Sequence, residues 1–418
     1  MTTFASLGLA EPLLRALARC GYETPTPVQA LAIPPLLEGR DLLGCAQTGT
    51  GKTAAFALPV LHRLFTETPR RNGAIRALVL TPTRELAAQV EQNFQSYGTG
   101  TRLAHTVVTG GVNPRRQIEV LRNGVDVLVA CPGRLLDLHG QGHVDLSHIE
   151  QFVLDEADRM LDMGFVHDVR KVMARLPSQR QNVLVSATLP KPIVKLAHEL
   201  LTDPVEVSVS PEAPTTDAID QRVMFVEKSD KRRLLSDIIK TGDIDQAIVF
   251  TRTKHGANRL VKQLDQAGIE ARAIHGNKSQ NARTRALEAF RSGELSILVA
   301  TDVVSRGIDV EGVSHVVNFD LPNDPESYVH RIGRTGRAGR TGTTIAFCDP
   351  SEVEYLQNIE RLLGAPVPVD RDHAWHSDNV VVPAAKPSRP KNPGRSRRPS
   401  RRRSRGRRRS GASKPSAP

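Results

Sequence analysis

Ala46-Gln47-Thr48-Gly49-Thr50-Gly51-Lys52-Thr53 follows a short apolar run, Asp41-Leu42-Leu43-Gly44-Cys45, and precedes the helix-friendly stretch Ala54-Ala55-Phe56-Ala57-Leu58. Strand, glycine-bearing loop and helix make the setting in which a Gly-Lys-Thr ending reads as a phosphate-binding loop. A loop wrapped around phosphate must aim several backbone N–H groups inward, and glycine permits the dihedral angles that do so. The helix that follows adds its partly positive N-terminus. In such a loop Lys52 reaches the β- and γ-phosphates and the Thr53 hydroxyl ligates Mg²⁺. The generic pattern opens on Gly, and Ala46 stands there instead. An ordinary Gly/Thr-rich strand-to-helix turn is the competing reading.

A chain of 418 residues exceeds one compact core and implies two domains with additions. No apolar run approaches the roughly 18 residues that a membrane span requires. The stretch Met1 to Ser6 lacks the basic-then-apolar order of a signal peptide. Cys20, Cys45, Cys131 and Cys348 are scattered and form no Cys-x-x-Cys pair. That speaks against a zinc site or a disulfide framework and for a reducing cytoplasm. Net charge is +12, but Lys386 to Pro418 alone carries 14 Lys/Arg and no Asp/Glu, which leaves 43 basic against 45 acidic residues elsewhere. The folded part is close to neutral, so any nucleic-acid site within it must be a local patch.

Ahead of the loop, Leu7, Leu9, Leu13, Leu14 and Leu17 show helical spacing. Pro25 and Pro27 predict an extended, rigid segment that delivers Gln29 to the loop. From there to about residue 205, apolar runs at 77–80, 106–108, 125–130, 152–154 and 182–185 alternate with helical stretches. Near-continuous apolar strands separated by helices predict a parallel sheet covered on both faces. Residues 1–208 thus read as a first domain. At 209–218 Pro, Ser and Thr take over, which reads as a linker. Strands at 247–250, 271–274, 297–300, 313–319 and 343–347 then build a second α/β domain over 219–365, with no second phosphate loop. Beyond 366 the chain is rich in Arg, Ser, Pro and Gly, with Trp375 its one aromatic, and reads as disordered.

In open α/β sheets function collects at the carboxyl ends of the strands. Asp155-Glu156-Ala157-Asp158 follows the apolar run 152–154. Acids there either cap a helix start or hold Mg²⁺ and orient a water for γ-phosphate cleavage; the upstream loop favours the second. Ser186-Ala187-Thr188 ends the next run and by itself reads as a local hydroxyl turn.

Further segments extend the pattern: Pro82-Thr83-Arg84-Glu85-Leu86, Gly110-Gly111, Pro132-Gly133-Arg134, Gln280-x-x-Arg283, Ala300-Thr301-Asp302, Arg306-Gly307-Ile308-Asp309, and His330-Arg331-Ile332-Gly333-Arg334-Thr335-Gly336-Arg337. Each is a weak signal singly. In this order, over about residues 4–365, the sequence resembles a DEAD-box ATP-dependent RNA helicase of superfamily 2, most similar to the bacterial RNA helicase E type. The resemblance implies two tandem RecA-like domains, ATP and Mg²⁺ as cofactors, and a disordered basic C-terminal tail.

It also implies roles. Residues Ala46, Gln47, Thr48, Gly49, Thr50, Gly51, Lys52 and Thr53 would cradle the ATP phosphates. Gln29 would offer its amide to the adenine edge, where one amide pairs a donor and an acceptor. Tyr22 would stack nearby, or is simply a packed core tyrosine. Asp155, with Thr53, would hold Mg²⁺, and Glu156 would polarise the attacking water. Ser186 and Thr188 would bond the acidic motif at Asp158 and couple hydrolysis to closure. From the second domain, Arg334 and Arg337 resemble arginine fingers, whose fixed fork suits a developing γ-phosphate charge. His330 would position water or bridge to Asp158, and Asp309 would bond the ribose.

RNA contact falls by the same resemblance to Arg84, Gly110, Gly111, Arg134, Arg283 and Thr301. These groups address phosphate and sugar and read strand type, not base sequence. An aromatic content of 4% agrees, because it offers few stacking platforms. The family usually has Thr where Cys131 stands, and a thiol donates poorly, so one phosphate contact is expected to be weak. Val304-Ser305 replaces a pair of small residues common before Arg306. The apolar residues from Arg159 to Phe165 read either as a strand-bending wedge or as ordinary helix packing. The basic tail reads as a salt-sensitive RNA tether, or as a solubilising segment. A DNA helicase of the same superfamily and an RNA-binding scaffold with a vestigial ATPase are the rival readings.

Overall fold

The computed structural model describes residues 2–46, 49–67, 73–209, 219–241, 244–302, 310, 312–336 and 342–382. The first lobe holds seven strands: β1 (Leu42–Ala46), β2 (Ala77–Leu80), β3 (His105–Val108), β4 (Val127–Ala130), β5 (Gln151–Asp155), β6 (Gln181–Ser186) and β7 (Val205–Val209). They line up in the order β3-β4-β2-β5-β6-β1-β7, and every pairing is parallel. All residues of β2, β4, β5 and β6 are buried. Burial on both faces explains why these strands read as continuous apolar runs with no alternation.

Helices Glu11–Arg19, Pro27–Leu37, Lys52–Thr66 and Arg84–Tyr97 cover one face, with Leu13, Ile33, Phe56, Val90 and Phe94 in its core. Helices Pro132–Gly140, Val166–Met173 and Lys191–Leu200 cover the other, around Leu135, Phe152, Val169 and Leu196.

The second lobe repeats the plan with β8 (Ile219–Phe225), β9 (Ala247–Phe250), β10 (Ala271–Ile274), β11 (Ile297–Ala300), β12 (His315–Asn318), β13 (Gly342–Cys348) and β14 (Val369–Asp370). Their order is β10-β11-β9-β12-β13-β8-β14, again parallel throughout. Among the described residues no helix is long and apolar enough to cross a membrane.

The structure departs from the sequence reading in four places. Gln29 is not on an extended segment but in the first turn of the helix Pro27–Leu37. Pro27 supplies a helical φ at a first-turn position where its missing N–H costs nothing. Edge and near-edge strands β7, β8 and β14 were not anticipated, because their polar residues break the apolar run. Val209, placed in the linker, pairs with Ala46 in the sheet; residues 210–218 lie outside the described set.

Finally, order continues past 366. Val367 and Val380 are buried, and β14 adds to the edge of β8. Trp375 donates from Nε1 to Asp237 at 2.7 Å and lies under the Arg233 guanidinium, 5.2 Å from its ring centre. Two valines and a tryptophan bury enough apolar surface to hold this segment. The rest of the basic tail, from 383 on, lies outside the described residues.

Candidate nucleotide and nucleic-acid sites

Register decides what meets at the sheet's carboxyl edge. In β1 and β6, Cys45 is opposite Ser186; in β5 and β6, Asp155 is opposite Val185. The loop after β1, the acids after β5 and the hydroxyls after β6 therefore emerge side by side. Gly49 and Gly51 hold φ values of 84° and 88°, conformations that cost little only for glycine. Gly51 caps the helix Lys52–Thr66. Lys52 is buried, and its Nζ donates to the Ala46 carbonyl at 2.5 Å. Thr53 follows in the same first turn; Gln47 and Thr48 lie outside the described residues.

Gln29 braces this loop. Its Oε1 accepts from Thr26 N at 2.9 Å and its Nε2 donates to the Gly51 carbonyl at 3.1 Å. An amide so used keeps one N–H and one lone pair for another partner. Tyr22 is no core tyrosine: it is 42% exposed and tilts against Tyr97, with ring centres 6.0 Å apart.

The acids are buried in the same place. Burial raises the Asp155 carboxyl above the usual range, Glu156 beside it adds to the rise, and Lys52 and Arg159 oppose it. Glu156 sits at φ 54°, ψ 54°, a left-handed conformation that a non-glycine residue holds only under constraint. Arg159, one turn on, forms an ion pair with its carboxylate. A desolvated carboxylate pair supplies oxygen donors of the kind that suit a hard divalent cation.

Asp158 Oδ2 accepts from the Thr188 hydroxyl at 3.0 Å and from Thr188 N at 2.9 Å, while Asp158 N donates to Ser186 Oγ at 3.2 Å. The three predicted coupling residues thus form one network. Met160 is fully buried and Leu161 and Phe165 pack on the core. The helix expected there breaks at Gly164, φ 78°.

The other half of the edge is built from β2, β4 and β3, where Leu80, Ala130 and Val108 are in register. Arg84 opens the helix Arg84–Tyr97 after Thr83 caps it. Its guanidinium occupies the space where a Cβ on Gly111, φ 77°, would stand, so Arg84, Gly110 and Gly111 are one cluster. Arg134 joins it through Gln117, whose Oε1 accepts at 3.1 Å while its Nε2 donates to the Thr109 carbonyl at 3.0 Å. Cys131 begins the helix Pro132–Gly140 without a side-chain cap. Burial pushes its thiol up to about 12.

In the second lobe, Thr301 is buried at the end of β11, Arg334 is buried after the helix Pro325–Ile332, and His330 is half-buried in that helix. Arg337, Asp309, Arg306 and Val304-Ser305 lie outside the described residues. Arg283 has a partner that the sequence did not indicate. It is buried, which lowers its pKa, is paired with Glu85 of the first lobe at 2.5 Å, and is close enough to Arg84 for that like charge to lower the pKa further.

Sequence reasoning gave no role to Arg159, Gln117, Glu85 or the Arg331–Asp302 pair. Arg159 carried a signal, a cation three residues after an acid on a helix. Gln117 and Glu85 carried none, because their partners are distant in sequence.

Two family profiles match the chain: DEAD/DEAH box helicase over residues 26–196 and the helicase conserved C-terminal domain over residues 230–339. An ATP-dependent RNA helicase, CshA of Limosilactobacillus reuteri, is 45% identical over 359 residues, covering 86% of this chain and 71% of that one. S. cerevisiae Dbp5 bound to RNA and ADP BeF3 superposes with a TM-score of 0.79 at 34% identity, covering 89% of this chain and 95% of Dbp5. A Dbp5 variant bound to Nup159, a Gle1 variant, IP6 and ADP gives 0.61 at 32% identity, covering 88% and 96%.

Proposed function

The chain belongs to the DEAD-box family of ATP-dependent RNA helicases, and from that premise we propose how its residues divide the work of an RNA-dependent ATPase that locally opens short duplexes. One observation carries the division. The carboxyl edge of the first sheet holds the phosphate loop and acids at β1, β5 and β6, and the arginine–glycine cluster at β2, β3 and β4. One rigid sheet therefore reads the nucleotide with one half and the strand with the other.

Lys52 reaches the β- and γ-phosphates, and the backbone of residues 46–53 cradles them. Gln29 spends its remaining N–H and lone pair on the adenine edge beside Tyr22. Glu156 takes the proton side of the attacking water and aligns its oxygen with the γ-phosphorus, whose bond to the leaving ADP oxygen breaks. Thr53 and Asp155 would hold Mg²⁺, and the cation would supply charge neutralisation at the phosphates. Arg334 and Arg337, with His330, come from the second lobe and meet the charge that develops, and Asp309 takes the ribose. Asp158, Ser186 and Thr188 tie the acidic turn to the next strand end, so movement at one is felt at the other.

Arg84, Gly110, Gly111, Arg134 and Thr301 grip phosphate and sugar, which selects RNA by strand type and not by base. The basic segment from Lys386 on adds a non-specific tether whose affinity falls with salt. Removing 386–418 is expected to lower RNA affinity at low salt, and an unchanged affinity would exclude the tether.

The deciding experiment is ATP turnover and duplex opening with RNA, and with DNA of the same sequence, for the parent and Glu156→Gln. The parent is expected to be stimulated by RNA and the variant to lose at least a hundredfold in turnover. Equal turnover in both would remove Glu156 from catalysis.

A further inference from the structure

Tyr97 is the last residue of the helix Arg84–Tyr97 and is only 3% exposed. The backbone is pinned at that end. Gly98 N donates to the Phe94 carbonyl at 2.8 Å, and a Cβ on Gly98 would stand 2.7 Å from that oxygen and 3.3 Å from Leu61 Cδ2. Leu61 belongs to the helix Lys52–Thr66, which leaves the phosphate loop. The close approach that glycine permits therefore seats the Tyr97 end of one helix on the helix that the loop opens.

Tyr22 reaches the same place from another element. It follows the helix Glu11–Arg19 through a turn at Gly21, φ 74°, and its N–H donates to the Leu17 carbonyl at 3.0 Å. That fixes the backbone and leaves the side chain 42% exposed. An exposed tyrosine side chain samples several rotamers, whereas stacking on a base requires one of them. Tyr97 supplies the choice. The two ring centres are 6.0 Å apart with planes inclined at 51°, within the range of a favourable tilted pair. The hydroxyls lie 3.4 Å apart, and either can donate. At that length the bond is weak, so the ring contact does most of the holding. Burial, joined by the Tyr22 bond, raises the Tyr97 phenol above its ordinary value, and it stays neutral at every working pH.

We infer that Tyr97 is a positioning residue for the nucleotide base: it holds the Tyr22 ring in the orientation that stacks on adenine. The base then meets a ring already set, and the ordering cost that a free Tyr22 would add to ATP binding is removed before ATP arrives. Tyr97 is buried and acts through Tyr22, so its contribution is to ATP affinity and not to the rate of bond cleavage. Nothing local in the sequence marks it, because 75 residues separate the two tyrosines. The inference rests on the reading above that Tyr22 lies beside the adenine.

The test compares ATP with tripolyphosphate, which offers phosphates to the loop and no base. In the full chain with saturating polyuridylate, three quantities are measured: the half-saturating ATP concentration, the turnover at saturation and the inhibition constant of tripolyphosphate. The variants are Tyr97→Phe, Tyr97→Leu, Tyr22→Ala, and Tyr97→Leu combined with Tyr22→Ala. Half-saturating ATP is expected to rise about tenfold in Tyr97→Leu and about threefold in Tyr97→Phe, which keeps the ring and loses the hydroxyl. Tripolyphosphate inhibition and saturating turnover are expected to hold. Tyr22→Ala is expected to lose about tenfold in ATP affinity, and adding Tyr97→Leu to it to cost nothing more. Tyr97→Phe keeps the buried volume and decides the matter where Tyr97→Leu melts early. Tripolyphosphate inhibition that weakens in step with ATP, or a further loss in the combined variant, would show that Tyr97 acts through the fold of the lobe and overturn the inference. A loss in Tyr22→Ala with none in either Tyr97 variant would overturn it as well. Unchanged ATP dependence in Tyr22→Ala would instead overturn the placing of Tyr22 at the base, on which the inference stands.

Discussion

Arg331 clasps Asp302 with two parallel bonds, Nε to Oδ1 at 2.6 Å and NH2 to Oδ2 at 2.7 Å. Its NH1 donates to Asn318 Oδ1 at 2.9 Å and to the Asp320 carbonyl at 2.7 Å, and the guanidinium lies 5.1 Å from the Phe250 ring centre. Asp302 follows Thr301 of the RNA set, and Arg331 lies between His330 and Arg334. One buried side chain therefore ties the turn after β11 to the helix Pro325–Ile332.

Replacing Arg331 by lysine keeps the charge and loses the fork. Breaking a buried pair typically costs about 3–5 kcal/mol because the remaining charge is stranded; a lysine that keeps one bond is expected to cost about 2–3 kcal/mol. Thermal unfolding of Arg331→Lys should start several degrees below the parent. Coincident melting curves would show that the clasp contributes nothing to stability.

How much of this was visible in the sequence depends on the range of the interaction. Buried central strands such as Ala77–Leu80 and Ile297–Ala300 announce themselves, since burial on both faces demands an unbroken apolar run. Val205–Val209 and Ile219–Phe225 do not: their partly exposed positions carry Glu206, Ser208, Asp220 and Gln221, and polar residues on a strand look like a loop. The local strand–turn–helix geometry at Gly49 to Thr53 and at Asp155 to Asp158 was legible because it is set by neighbours in sequence. The Glu85–Arg283 pair was not, because it exists only between two folded lobes. Arg283 by itself looks like any arginine near RNA.

Gly51 supports a sharper test of the nucleotide loop. A side chain there would hold φ near 88° and drive its Cβ into the Gln29 amide. The left-handed conformation alone costs an alanine about 1–2 kcal/mol, and Gln29 must also give up its bond to the loop. Gly51→Ala is expected to raise the ATP concentration for half-maximal turnover at least tenfold while leaving the melting temperature within a few degrees. An unchanged ATP dependence would mean that the Gln29 brace does not shape the loop.

Cys131 begins the helix Pro132–Gly140 in an extended conformation, with no side-chain bond to the first turn. Serine at such a position typically contributes about 1 kcal/mol, and its hydroxyl donates where a thiol barely does. Cys131→Ser should therefore melt higher than the parent and bind RNA about threefold more tightly at fixed salt. With its pKa pushed up to about 12 by burial, the Cys131 thiol stays protonated at neutral pH. Alkylation should reach exposed Cys20 long before it. Loss of RNA affinity in the serine variant would show that the thiol is no handicap.

Trp375 is the chain's one tryptophan, which makes the docking of the segment after β14 directly observable. Ser377 N donates to the Phe225 carbonyl at 3.0 Å, and Ser377 Oγ and Asn379 Nδ2 donate to Glu227 at 2.6 and 2.8 Å. Within the segment, His373 packs edge-on against His376, ring centres 5.6 Å apart. Both His373 ring nitrogens are buried without hydrogen-bond partners. Burial, and then His376, lower the His373 pKa from 6.5, with Asp370 and Asp372 pulling the other way. The docked form therefore binds fewer protons than the released form between its lowered pKa and 6.5. Docking is at full strength above about pH 6.5 and weakens as pH falls below it. Trp375 emission should shift to the red, as the ring meets water, between pH 7.5 and 5.5. In His373→Phe, which keeps the packing and loses the titration, the shift should largely vanish. A pH-independent emission in the parent, or an undiminished shift in the variant, would remove His373 as the cause.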